Sequence, residues 1–214
     1  AVRALHDTGL QMCVHCGGDA AVDLTLDAYE EAMNANPRPD PRHRIEHCVL
    51  CTPEAIRRMK DLGVVVSTQP QFIRVGGTSY ARLFGEERAN RAIPTREWLQ
   101  AGVVVALGSD APSTPWYTPQ TTLAGAVARL DINNQQMGAG QCMTIQEALR
   151  AHTLGSAYAE HAEKDKGSIE AGKLADLAVW QEDPYNATLQ RLWQIPVDMT
   201  VVGGKIIHDS GRIA

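Results

Sequence analysis

No part of this 214-residue chain stays apolar for long. Its most hydrophobic runs, 64–66 and 103–107, fall far short of the ~18–20 residues a helix needs to cross a bilayer, so neither a membrane-spanning helix nor a membrane partner is expected. Runs of like charge are missing too. The 25 acids and 20 bases are scattered and the formal net charge is -5; without a basic stripe, nucleic acid is not an expected partner. Cysteine is scarce and odd in number, five in all, which argues against a closed disulfide framework and for a reducing compartment, the cytoplasm. The opening residues lack the basic start, apolar centre and cleavage site of a signal peptide. What remains is an ordinary globular composition, 44% hydrophobic and 21% charged, in a chain long enough to bury a core.

Short apolar runs of β type alternate with helical patterns, the signature of βα units with parallel strands. Four units are legible. A strand near 11–15 precedes a helix on which Val22, Leu26, Tyr29 and Met33 recur at helical spacing. A second strand over 44–50 precedes a helix opened by Thr52 as N-cap and Pro53 at the first helical position. The third, 64–68, leads into a glycine-bearing polar stretch around Gly76-Gly77, expected as a long loop, and then a helix near 95–101. The fourth, 103–107, runs into Gly108-Ser109-Asp110, a proline-rich loop and a helix over 119–130. Beyond Asn133 the pattern changes. Thr144 and Glu147 make a capping box before a helix of about fifteen residues. Strand-like segments at 174–180, 199–202 and 206–208, around the turn Gly203-Gly204, read as a small β subdomain.

His15, His47 and Asp110 each stand at or just beyond the C-terminal end of an expected parallel strand, where sheets of this class build their sites. Two imidazoles and a carboxylate suit zinc and neighbouring divalent metals, and three protein ligands leave a position open for water. Zinc can lower the pKa of such a water from ~15.7 to roughly 7. Asp110 could hold metal with one oxygen and the water with the other, which makes it the candidate general base and later the proton donor to the leaving group. Gln69, after the third strand, and Trp116, in the loop beyond Asp110, stand where contacts to a small-molecule substrate are expected.

Three segments together resemble a known family: His15-Cys16-Gly17-Gly18-Asp19-Ala20, Arg44-Ile45-Glu46-His47-Cys48 and Gly108-Ser109-Asp110-Ala111-Pro112 look like the fifth-, sixth- and eighth-strand motifs of the amidohydrolase superfamily. Within it they are most similar to the YtcJ-like branch that includes N-substituted formamide deformylases. The tail from Lys166 to Leu177 is similar to the segment that returns the family's chain to its β-sandwich. The resemblance implies an α/β fold: the C-terminal half of a (β/α)8 TIM-type barrel over residues 1–165, and part of a small β-sandwich over 166–214. It also implies a metal-dependent hydrolase of carbon–nitrogen bonds in non-peptide amides, cyclic amides or N-formyl groups, acting through a metal-activated water. One or two divalent ions, zinc foremost, are implied with His15, His47 and Asp110 as ligands and Asp110 as the acid/base. The family's first-strand His-x-His pair and fourth-strand Lys have no counterpart here. The chain is therefore expected to need a missing N-terminal half, or another copy, to cover its open strand edges. The alternative reading is a catalytically incomplete half-barrel with a binding or regulatory role.

Other readings of the same residues are weaker. Cys13-x-x-Cys16 and Cys48-x-x-Cys51 have zinc-like spacing, but the strand's period of two sends Cys13 and Cys16 to opposite faces, which favours free buried thiols. No companion residues make either pair a redox motif, and Ser109 lies outside a Gly-x-Ser-x-Gly elbow. The same alternation turns Glu46 away from His47 and toward a structural ion pair, with Arg44 also read as structural. His152 falls inside a helix, and His43, His161 and His208 are expected to be solvated or capping.

Overall fold

The computed structural model describes residues 1–212; Ile213 and Ala214, the end of the expected 166–214 segment, lie outside the described residues. A short helix α1 (Val2–His6) leads to β1 (Cys13–Cys16), α2 (Asp19–Ala35), β2 (Arg44–His47), α3 (Pro53–Asp61) and β3 (Val65–Thr68). Next come α4 (Phe72–Phe84), α5 (Glu86–Asn90), α6 (Thr95–Ala101), β4 (Val105–Leu107) and α7 (Pro119–Ala128). The four strands form one parallel sheet in the order β1-β2-β3-β4, as the βα alternation predicts.

The helices bury one stripe against this sheet. On α2 the stripe is Val22, Thr25, Leu26, Tyr29 and Ala32, so Ala32 takes the place expected of Met33. The Tyr29 hydroxyl donates to the Arg44 carbonyl at 2.7 Å, which ties α2 to β2. Thr52 caps α3 as its sequence predicts, accepting from the Ala55 amide at 3.0 Å.

The stretch expected as a long loop after β3 is helical. Gly76 and Gly77 lie inside α4, and their missing side chains make room. A Cβ on Gly77 would stand 2.4 Å from the Met137 sulfur and 2.9 Å from Asp131 Cβ; one on Gly76 would meet the Tyr80 ring. These glycines serve close packing, a use that composition alone does not separate from a flexible turn.

The capping box at Thr144 and Glu147 opens α8 (Ile145–Arg150), which continues through a π-helical turn, Ala151–Gly155, into α9 (Ser156–Ala159). That turn lies along the outer edge of β4. Gly155 packs against the Val105 carbonyl and the Ser156 hydroxyl donates to the Leu107 carbonyl at 3.1 Å. A second sheet follows: β5 (Leu177–Trp180), a short helix α10 (Leu189–Leu192), β6 (Val197–Val202) and β7 (Lys205–Asp209), antiparallel in the order β5-β6-β7. Leu192 and Ile195 pack on Ala124 of α7 and join the two parts.

His43 is not solvated. It is buried against His6, with His6 Nδ1 2.8 Å from His43 Nε2, His6 Nε2 2.8 Å from the Asn36 carbonyl and the Met12 amide donating to His43 Nδ1 at 3.0 Å. These contacts assign the hydrogens: His43 carries its proton on Nε2 and His6 on its own Nε2, both rings neutral.

Candidate active site

The C-terminal ends of the four parallel strands form one rim. His15 is the third residue of β1, His47 the last of β2, Gln69 the first beyond β3, and Asp110 the third beyond β4. Of these, the structure brings His15 and His47 together: their rings meet edge to face with centroids 4.5 Å apart.

The strand register alone would not achieve this. Cys16 is paired with His47, and Cys16 is buried in the core, while His15 is paired with Glu46 on the exposed face. The regular alternation ends at His47 and Cys48, whose φ values of 70° and 50° are left-handed. The His47 ring lies beside His15 and stacks on Phe72 at 5.9 Å. Glu46 therefore shares the face of His15, contrary to the expectation that it turns away from His47; its carboxylate accepts from Arg44 Nε at 2.8 Å, the ion pair expected of it.

A set of buried polar groups fixes the rim. The Thr68 hydroxyl donates to the His47 carbonyl at 2.7 Å, and the Gly108 amide donates to the Thr68 carbonyl at 3.0 Å. Gln69, expected as a substrate contact, is buried, and its Oε1 lies 2.8 Å from His47 Nδ1. With an amide oxygen as partner, Nδ1 carries the ring proton and Nε2 presents its lone pair. Gln71, which sequence reasoning passed over, is fully buried; its Nε2 donates to the carbonyls of Ser109 at 2.9 Å and Gly108 at 3.3 Å. The signal for Gln69 was its position directly after a strand end.

Asp110 follows in a left-handed conformation, φ 52°, and is exposed. Among the described residues, no group of three histidine, cysteine, aspartate or glutamate side chains is placed to hold a metal ion. Trp116 lines a cleft of about 300 Å³ with Arg74, Asn134, Trp193 and Gln194; neither His15 nor His47 borders it. The thiols divide as the strand period predicts, with Cys13 exposed and Cys16 buried, and all five cysteines are free. Burial raises the pKa of Cys16.

As a donor set the two imidazoles suit a borderline divalent metal, and the free Nε2 of His47 is the atom such an ion would meet. A family model described as the amidohydrolase family matches residues 1–208, and this chain belongs to that family. It is 33% identical over 98% of its length to N-substituted formamide deformylase of Arthrobacter pascens, and 28% identical over 97% to the Bacillus subtilis amidohydrolase YtcJ. The chain spans 38% and 39% of the length of these two relatives. Among solved structures, a metal-dependent hydrolase of Pyrococcus horikoshii superposes with a TM-score of 0.73 at 28% identity, covering 86% of this chain and 36% of that one. The parallel sheet is thus the C-terminal half of the family's (β/α)8 barrel, and the antiparallel sheet is part of its small β-sandwich.

Proposed function

We propose that this chain is the C-terminal portion of a metal-dependent hydrolase of carbon–nitrogen bonds other than peptide bonds, with non-peptide amides, cyclic amides or N-formyl groups as substrates. The observation that carries this reading is the His15–His47 ring pair on the strand rim, with His47 Nδ1 engaged by Gln69. The names of the relatives support it: one is a formamide deformylase and one a metal-dependent hydrolase.

In this reading His15, His47 and Asp110 hold a divalent metal, zinc by donor chemistry, as one ion or two. Such an ion supplies Lewis-acid polarisation and activation of water. Asp110 moves the proton, taking it from water and returning it to the leaving nitrogen. Trp116 contacts the substrate's remote end, while Gln69, buried on His47, orients that ligand rather than touching substrate. Metal analysis of the purified protein tests the reading. Stoichiometric metal that is lost in both His15→Ala and His47→Ala supports it.

Absence of metal from protein made in supplemented medium would overturn it in favour of a catalytically incomplete half-barrel with a binding or regulatory role. We assign residues 1–165 to the barrel and 166–214 to the sandwich segment, and the cytoplasm as the compartment, in keeping with five free thiols. An N-terminal half or a second copy completes the barrel and covers the small sandwich. In support, Ile206 and Ile207 of β7 are 58% and 65% exposed, and an apolar groove of about 1010 Å³ runs between Leu123 of α7, Leu149 of α8 and Val179 and Trp180 of β5. A cooperative, strictly monomeric 214-residue chain in sedimentation and thermal melting would count against this partner.

A further inference from the structure

The turn Gln69-Pro70-Gln71 touches both halves of the candidate site. Gln69 is 5% exposed and reaches back to β2, where its Oε1 meets His47 Nδ1 at 2.8 Å. Gln71 is 0% exposed and reaches forward to the end of β4, where one NH2 group donates to two successive carbonyls, Gly108 and Ser109. Those donations fix the orientation of the Gln71 amide, because the oxygen cannot donate. Its Oε1 is buried and has no hydrogen-bond partner among the described residues. An acceptor left unmatched in the core is a cost that an apolar residue of similar shape would avoid. What the amide provides in exchange is the double donor that holds the backbone ahead of Asp110.

The turn has little freedom to relax. A Cβ on Gly125 of α7 would come within 2.5 Å of the Gln71 nitrogen and 2.7 Å of the Pro70 carbonyl carbon, so α7 presses directly on this backbone. Pro70 restricts the residue before it as well as itself.

We propose that Gln69 and Gln71 are positioning residues: Gln69 holds His47 in the Nδ1–H tautomer so that Nε2 faces the rim, and Gln71 sets the Ser109-Asp110 backbone. The value of this for metal binding rests on the function proposed above; the tautomer and the backbone hold do not. Histidine that ligates a metal is commonly oriented through its other ring nitrogen, and loss of such a partner weakens metal binding about 10- to 100-fold.

The test uses the whole 214-residue chain, uniformly labelled with ¹⁵N and observed at roughly pH 8, above the ordinary imidazole range. Long-range ¹H–¹⁵N spectra report which ring nitrogen carries the proton, and His47→Asn assigns the signal. Wild type is expected to show His47 as Nδ1–H. Gln69→Leu should move it toward Nε2–H, and Gln69→Glu, which keeps an accepting oxygen, should restore Nδ1–H. An Nε2–H ring in wild type, or a tautomer indifferent to Gln69→Leu, overturns the role of Gln69. If the leucine variant does not fold, Gln69→Ala takes its place with the same expected move toward Nε2–H and the same refuting result. Gln71→Met should displace the amide signals of Ser109, Asp110 and Ser113 and leave the His47 tautomer as in wild type; unmoved amides overturn the role of Gln71. Titration with Zn²⁺ alone is expected to give a Kd about 10- to 100-fold weaker in Gln69→Leu. Absence of any Zn²⁺ response in wild type refutes the metal reading, with the tautomer result standing apart from it.

Discussion

Acid should loosen this protein through its buried histidine pair. His43 is 1% exposed and His6 is 0% exposed, and each ring nitrogen already has a partner. A proton added to His43 Nδ1 would face the Met12 N–H that now donates to it. Burial pushes the His43 pKa down, and His6 and the Arg38 guanidinium add to the effect, from 6.5 to about 4. Tyr29, whose ring lies 4.9 Å from that of His43, offers its hydroxyl to Arg44 and brings no compensating charge.

The folded pKa lies below the unfolded one, so the contribution to stability is complete above about pH 6.5 and is lost as the pH falls toward about 4. The full loss is on the order of 3 kcal/mol. His43→Gln keeps an acceptor and a donor but cannot take up the proton. Urea unfolding followed by circular dichroism from about pH 7.5 to about pH 4 should show wild type losing roughly 3 kcal/mol more than His43→Gln. Parallel stability curves for the two proteins would refute the reasoning, because the histidine would then pay no penalty for charging inside the fold.

Arg129 is fully buried, with its pKa pushed down to about 10 by that burial, and it donates to the carbonyls of Met137, Ile93 and Ala92. Arg129→Met should cost at least about 3 kcal/mol in urea unfolding, since three buried acceptors lose their donor at roughly 1–3 kcal/mol each. Gly125→Ala should cost about 2 kcal/mol, because the new methyl meets backbone rather than a side chain that can turn away; thermal melting would detect it, and an unchanged midpoint would mean that α7 can shift. Glu147 is held at a pKa of about 2 by Arg96, and its side chain is 34% exposed. Glu147→Gln should cost about 1 kcal/mol at neutral pH after allowance for screening, and the difference should vanish as the pH falls through about 2.

The βα order, the caps at Thr52 and Thr144, and the three antiparallel strands could be read from local pattern because each rests on spacing within a few residues. Helix α4 could not, because Gly76 and Gly77 signal a turn in isolation and only their contacts with Tyr80, Met137 and Asp131 explain them inside a helix. The pairing of His6 with His43 spans 37 positions, and no local rule foretells it. At the rim, strand ends located His15 and His47, but the left-handed turn at His47 overrode the period of two that was used to place Glu46. Gln71 was invisible for a different reason. Its side chain acts on backbone carbonyls, which carry no residue identity.

The bend at positions 47 and 48 has a consequence for how this surface could change. Direction there is a property of the main chain, held by the Thr68 hydroxyl on the His47 carbonyl, and owes little to which side chain is attached. Any residue able to tolerate that conformation would be delivered to the same spot beside His15. New chemistry could then arise by exchanging a single amino acid, with the supporting scaffold left untouched.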